Sequence, residues 1–111
     1  MTQLIEAIEK IAKKNPEGFT VELPTLKEVK SGIVVAYLET QDSFDNEGLQ
    51  KVIQHAQSHS KTLGGWFNED NGKYYYDSCK VFSDRDEAIK FGIENKQIAI
   101  FDITNCELIK L

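Results

Sequence analysis

Two cysteines, two prolines, one methionine, one tryptophan and a single arginine are spread over 111 residues. Cys79 and Cys106 are too few for a disulfide framework and lack metal-ligand spacing. The core must therefore come from apolar burial, and a reduced, cytoplasmic setting is expected. Arg85 is the only guanidinium, and 18 acidic against 13 basic side chains leave a net charge of −5. A surface that tracks phosphate needs clustered Lys and Arg, so nucleic-acid binding is disfavoured. No apolar run is long enough to span a bilayer. Met1 opens directly on an amphipathic pattern, so neither a membrane span nor a signal peptide is expected. A glycine-rich phosphate loop is also missing. Gly64-Gly65 follows a helical pattern and opens a strand, the reverse of the order that presents backbone amides to phosphate, and is expected to end that helix.

What is present is the composition of one globular domain over residues 1–111, 41% hydrophobic and 28% charged. A chain of this length buries roughly two-thirds of its unfolded surface, enough for a core without a metal or disulfide. Residues 2–14 place Leu4, Ile5, Ile8, Ile11 and Ala12 on one helical stripe, and Asn15-Pro16-Glu17-Gly18 stops it. Phe19 to Leu23 alternate as a short strand ended by Pro24. The β-branched run Ile33 to Leu38 reads as a central strand covered on both faces. A helix is expected over 48–60, burying Leu49, Val52, Ile53 and Ala56, with Asp45 as its cap. A hairpin follows, its loop around Asn68–Gly72 and its second strand over 74–82. Ser83-Asp84 cap a third helix that ends at Asn95. Strands are expected over 97–103 and 107–111. From Ile33 onward the order is β-α-β-β-α-β. The expected fold is therefore α+β, ferredoxin-like, with an extra N-terminal helix and strand and a short C-terminal strand.

Chemistry-bearing constellations are sparse. His55 and His59 stand four apart on a helix but lack the Glu of the zinc-protease motif, and they read as solvated surface histidines. Neither cysteine has a base assigned to it by the sequence. Neither a metal nor a cofactor is expected. Thr40-Gln41-Asp42-Ser43-Phe44 joins a strand to a helix, which suits capping residues and also functional polar groups aimed by a rigid strand. In the hairpin, alternation puts Tyr74, Tyr76 and Ser78 on one face and Tyr75, Asp77 and Cys79 on the other. If the Tyr75 face meets the helices, Asp77 is partly buried and requires a partner. Tyr74 and Tyr76 then stand on the open face with Trp66. Such aromatics stabilise a hairpin and also suit recognition.

The segments Gly64-Gly65-Trp66-Phe67-Asn68, Gly72 to Ser78, Asp86-Glu87-Ala88 and Asn95 to Asp102 resemble a set of small proteins encoded by bacterial phages, prophages and conjugative elements. Asn15 to Thr20 and Thr40 to Phe44 are similar to the same set. The resemblance implies a bacterial cytoplasmic setting and carries no catalytic roles. The expected function is a non-enzymatic binding protein acting on a host or element protein, through Trp66, Asn68, Tyr74 and Tyr76, with Gln41 and Asp77 at neighbouring strand ends. Two other readings stand beside it. One is a small enzyme using Gln41 and Asp77, joined by Gln97 or Asp102. The other is single-stranded nucleic-acid binding by Tyr37 and Tyr76 on the sheet.

Overall fold

A computed structural model of the chain describes residues 2–111. Helix α1 (Thr2–Lys14) is followed by strands β1 (Phe19–Glu22) and β2 (Ile33–Ala36), a turn of 3-10 helix (Leu38–Thr40), and β3 (Ser43–Phe44). Then come α2 (Asp45–Ser58), the hairpin β4 (Thr62–Asn68) and β5 (Lys73–Phe82), α3 (Arg85–Glu94), β6 (Ala99–Asp102) and β7 (Glu107–Lys110). The stripes behave as their spacing requires: Ile5, Ile8 and Ala12 of α1, and Leu49, Val52, Ile53 and Ala56 of α2, are buried. Asp84 caps α3 by accepting from the amide of Asp86, and Asn95 closes it. Gly72 takes φ +71° in the hairpin loop, where Asn68 also bonds the amide of Asp70 through its side chain.

Several boundaries differ from the sequence reading. Helix α2 begins at Asp45, which is not its cap; the Asp45 carboxylate instead accepts from the amide of Tyr74. Gly64-Gly65 does not end α2. That helix stops at Ser58, and the two glycines lie inside β4. They are small because β1 crosses close by. A Cβ on Gly65 would stand 2.7 Å from the Phe19 ring and 2.8 Å from the Tyr75 carbonyl oxygen. Strand β3, which the sequence does not announce, pairs with β5 through Ser43–Tyr76 and Phe44–Tyr75.

All pairings are antiparallel, in the order β1-β4-β5-β2-β6-β7 with β3 also on β5. The molecule is therefore α+β, with three helices and a seven-stranded antiparallel sheet whose strand order differs from that of a simple ferredoxin-like fold. Cross-strand partners share a face, so the register assigns every side chain. Leu63, Tyr76 and Val21 meet α1 and α2 in one apolar cluster. Ile33, Val35, Ile100 and Ile109 meet Ala88 of α3 in a second. The pairings Ile33–Phe82 and Val35–Lys80 put both clusters on the even-numbered side of β5. All three helices thus cover one face. The other face carries Tyr75, Asp77, Cys79 and Val81 of β5, Trp66 of β4, Val34 and Ala36 of β2, and Phe101 of β6. Strand β2 is central, as its apolar run implies, but only one of its faces is under a helix: Val35 is fully buried, whereas Val34 and Ala36 are half-buried.

Candidate functional site: the uncovered face of the sheet

The register reverses the expected roles of the hairpin aromatics. Tyr76 is 2% exposed and packs among Ile5, Ile8, Val52 and Leu63. Phe19 meets its ring edge-on at 6.4 Å. Tyr74 packs at the margin of the same cluster, against Phe67 at 4.8 Å. Neither stands on the open face. Trp66 does, 43% exposed, and its partner there is Tyr75, stacked at 5.3 Å and 25°. Phe44 packs on the other side of Tyr75 at 5.5 Å, with the Lys73 ammonium 4.0 Å above the Phe44 ring. Asn71 donates to the Tyr75 hydroxyl at 2.8 Å and so fixes the outer end of this row. Asn68 ends β4 on the same face, where its side-chain oxygen accepts from the amide of Asp70. Tyr37 and Tyr76 both lie on the helical side, so they do not form a platform on which bases stack.

Beside the aromatic row the sheet holds a groove of about 900 Å³. Its floor is Gly64, Cys79, Ala36 and Val34. Thr20, Glu28 and Val29 stand at one wall, and Gln97, Phe101 and Leu108 at the other. The charged residues that line it are Glu17, Glu28 and Asp77, all acidic. Asp77 is half-buried on this floor. Burial, reinforced by the nearby charge of Asp42, pushes its carboxyl up to about 6. A partner was required for Asp77 only if the Tyr75 face met the helices, which it does not; among the described residues nothing hydrogen-bonds or ion-pairs with its carboxylate. Cys79, buried beside it, has its thiol pushed up by burial and then by the Asp77 charge, which disfavours the reactive thiolate.

The residues of the enzyme reading are split. Asp77 and Gln97 line the groove; Gln41 is exposed and outside its lining. Asp102 points to the helical side, where both its oxygens are taken by Asn105, through the backbone amide at 3.1 Å and the side chain at 2.8 Å. These bonds hold its carboxyl below the ordinary value. Thr40, in the strand-to-helix junction, is buried and accepts from the amide of Ser78, which is a structural duty. Comparison with protein-family models, curated proteins and solved structures finds no match for this chain. Among the described residues no helix is long and apolar enough to cross a membrane.

A second polar group lies on the helical face, between α2 and α3. His55 is not a solvated surface histidine: its side chain is 12% exposed and bonded at both ring nitrogens. Two of its partners, Glu39 and Ser78, carry no signal in the sequence, because they reach His55 only through tertiary folding.

Proposed function

We propose that this chain is a small non-enzymatic binding protein that takes a segment of another protein on the open face of its sheet. The observation that carries this reading is the one-sided placement of the helices. It leaves Trp66, Phe101 and Leu108 exposed around a preformed groove. A mostly apolar lining whose charged members are all acidic selects the occupant: apolar side chains seated between Trp66 and Phe101, with a lysine or arginine reaching Asp77. A nucleic-acid strand would bring phosphate toward three carboxylates, which disfavours it. The resemblance to mobile-element proteins supports a bacterial host or element protein as the partner, met in the cytoplasm. The order β4-β5-β2-β6 of the inner strands supports a ferredoxin-like core with β1 and β7 added at its edges.

The enzyme reading draws support from one observation, the raised carboxyl of Asp77 in a groove. It lacks an activated nucleophile, since burial disfavours the thiolate of the neighbouring Cys79. The test is selection of a displayed random-peptide library on the wild-type protein, followed by binding of the winners to Trp66→Ala and Asp77→Asn. Peptides with apolar residues flanking Lys or Arg should emerge, and lose at least about tenfold in affinity on either variant. Winners that bind both variants as well as wild type would overturn the assignment of the face.

A further inference from the structure

We infer that Glu39, His55 and His59 form a binding site for one divalent transition metal, of the class that includes zinc, cobalt and nickel. One ligating atom from each of the three lies within 4.8 Å of the other two. One imidazole comes from the last turn of α2 and the other from His59, the residue that closes it. The rings stack with centroids 3.7 Å apart and planes 3° from parallel, so their in-plane lone pairs run side by side, and exposed His59 turns about its side-chain bonds to share an ion with His55. Glu39, on the 3-10 turn, brings a carboxylate oxygen to 3.1 Å from His55 Nε2. Two imidazoles and one carboxylate are the donor set of borderline metals, whereas magnesium and calcium prefer all-oxygen shells.

The surroundings supply what such ligands need behind them. His59 Nδ1 lies 2.7 Å from the carbonyl oxygen of His55, which places its proton there and leaves the Nε2 lone pair free. His55 Nδ1 lies 2.7 Å from the hydroxyl of Ser78. A hydroxyl both donates and accepts, so it serves either tautomer. Without metal, the Ser78 hydroxyl donates to Nδ1 and Nε2–H donates to Glu39. With metal, the proton resides on Nδ1 and Nε2 binds, with no change in the net charge of the ring. Tyr37 walls the pair, edge-on to His55 at 4.9 Å and to His59 at 5.2 Å, and its hydroxyl is tied to Ser60 at 2.6 Å. His55 is thereby held from the α3 side, since Tyr37 also packs on Phe91, while exposed His59 is left room to turn. Glu39 and His59 are exposed, so an ion reaches the site from solvent. The order Ser78–His55–Glu39 also has the look of a nucleophile, a base and an acid. The Ser78 side chain is fully buried, however, and no substrate reaches it.

The experiment is titration of the full chain, free of any histidine tag, with Co²⁺ followed by absorbance and with Zn²⁺ followed by calorimetry, using Mg²⁺ as the competing control. One equivalent should bind, and excess Mg²⁺ should not displace it. His59→Ala and Glu39→Gln change exposed residues and should leave the circular dichroism spectrum unaltered. Each should weaken binding by at least about tenfold. Dissociation constants near or above about 1 mM for the wild type would overturn the site. So would unaltered affinity in Glu39→Gln, which would reduce it to a helical histidine pair.

Discussion

Asp77→Asn removes a charge whose burial nothing in the fold offsets, so the substitution should stabilise the protein in a pH-dependent way. The Asp77 carboxyl titrates at about 6 when folded, against an ordinary value of 3.8. The folded state therefore holds this proton more tightly than the unfolded chain. Stability contributed by that proton is fully present below about pH 4 and is lost as the pH rises through about 6. A displacement of roughly 2 units at about 1.4 kcal/mol per unit gives a cost of up to about 3 kcal/mol at neutral pH. Asparagine has nearly the shape of the protonated acid and no charge to bury. Urea unfolding of both proteins at about pH 4, 5, 6 and 7 measures the difference directly. The advantage of the asparagine variant should be near zero at about pH 4 and grow to as much as about 3 kcal/mol at about pH 7. Taking the difference cancels Glu39 and Asp102, whose lowered carboxyls act in the opposite sense in both proteins. An advantage that does not change with pH, or an asparagine variant less stable than wild type at about pH 7, would refute the argument.

Two further outcomes separate the faces of the sheet. Tyr76→Ala should cost about 3–5 kcal/mol in urea unfolding, because it empties a buried site between α1, α2 and β4. Trp66→Ala, one residue away from the partner of Tyr76, should cost clearly less, since the half-exposed ring gives up only its stack on Tyr75, worth about 0.5–1.5 kcal/mol, and a partial burial. Equal costs would contradict the register. With a thiol-reactive dye, exposed Cys106 should react in the native protein, while Cys79 should react only after denaturant is added.

Helices α1 and α2 were legible because each presents an apolar stripe at helical spacing, α3 because Asp84 and Asn95 mark its ends, and Gly72 because a turn needs it. The facing of the hairpin was not, because Tyr74, Tyr75 and Tyr76 put an aromatic on both sides, and Lys80 sits on the helical side between Ser78 and Phe82. Lys80 is tolerated there because its ammonium lies over the Phe82 and Phe91 rings. One signal did exist. A loop closed by Asn68 and Lys73 fixes Trp66 opposite Tyr75, not Tyr74 or Tyr76, and Leu63 opposite Ser78. Following that register from the apolar Leu63 turns Tyr76 inward and Trp66 outward. The histidine spacing was visible too, but Glu39 joins it from 16 residues away, through a turn whose path no local pattern announces.

Strand β5 holds both faces of the molecule on one stretch of backbone. Tyr76 and Ser78 are fixed in the core, while Asp77 and Cys79, between and beside them, face the groove. The groove consequently has the rigidity of the core that lies behind it. A ligand arriving there meets a surface already shaped, and only the ligand has to be ordered. Association should then be a single step, its observed rate rising in proportion to ligand concentration without levelling off at the pace of a slow rearrangement of the sheet.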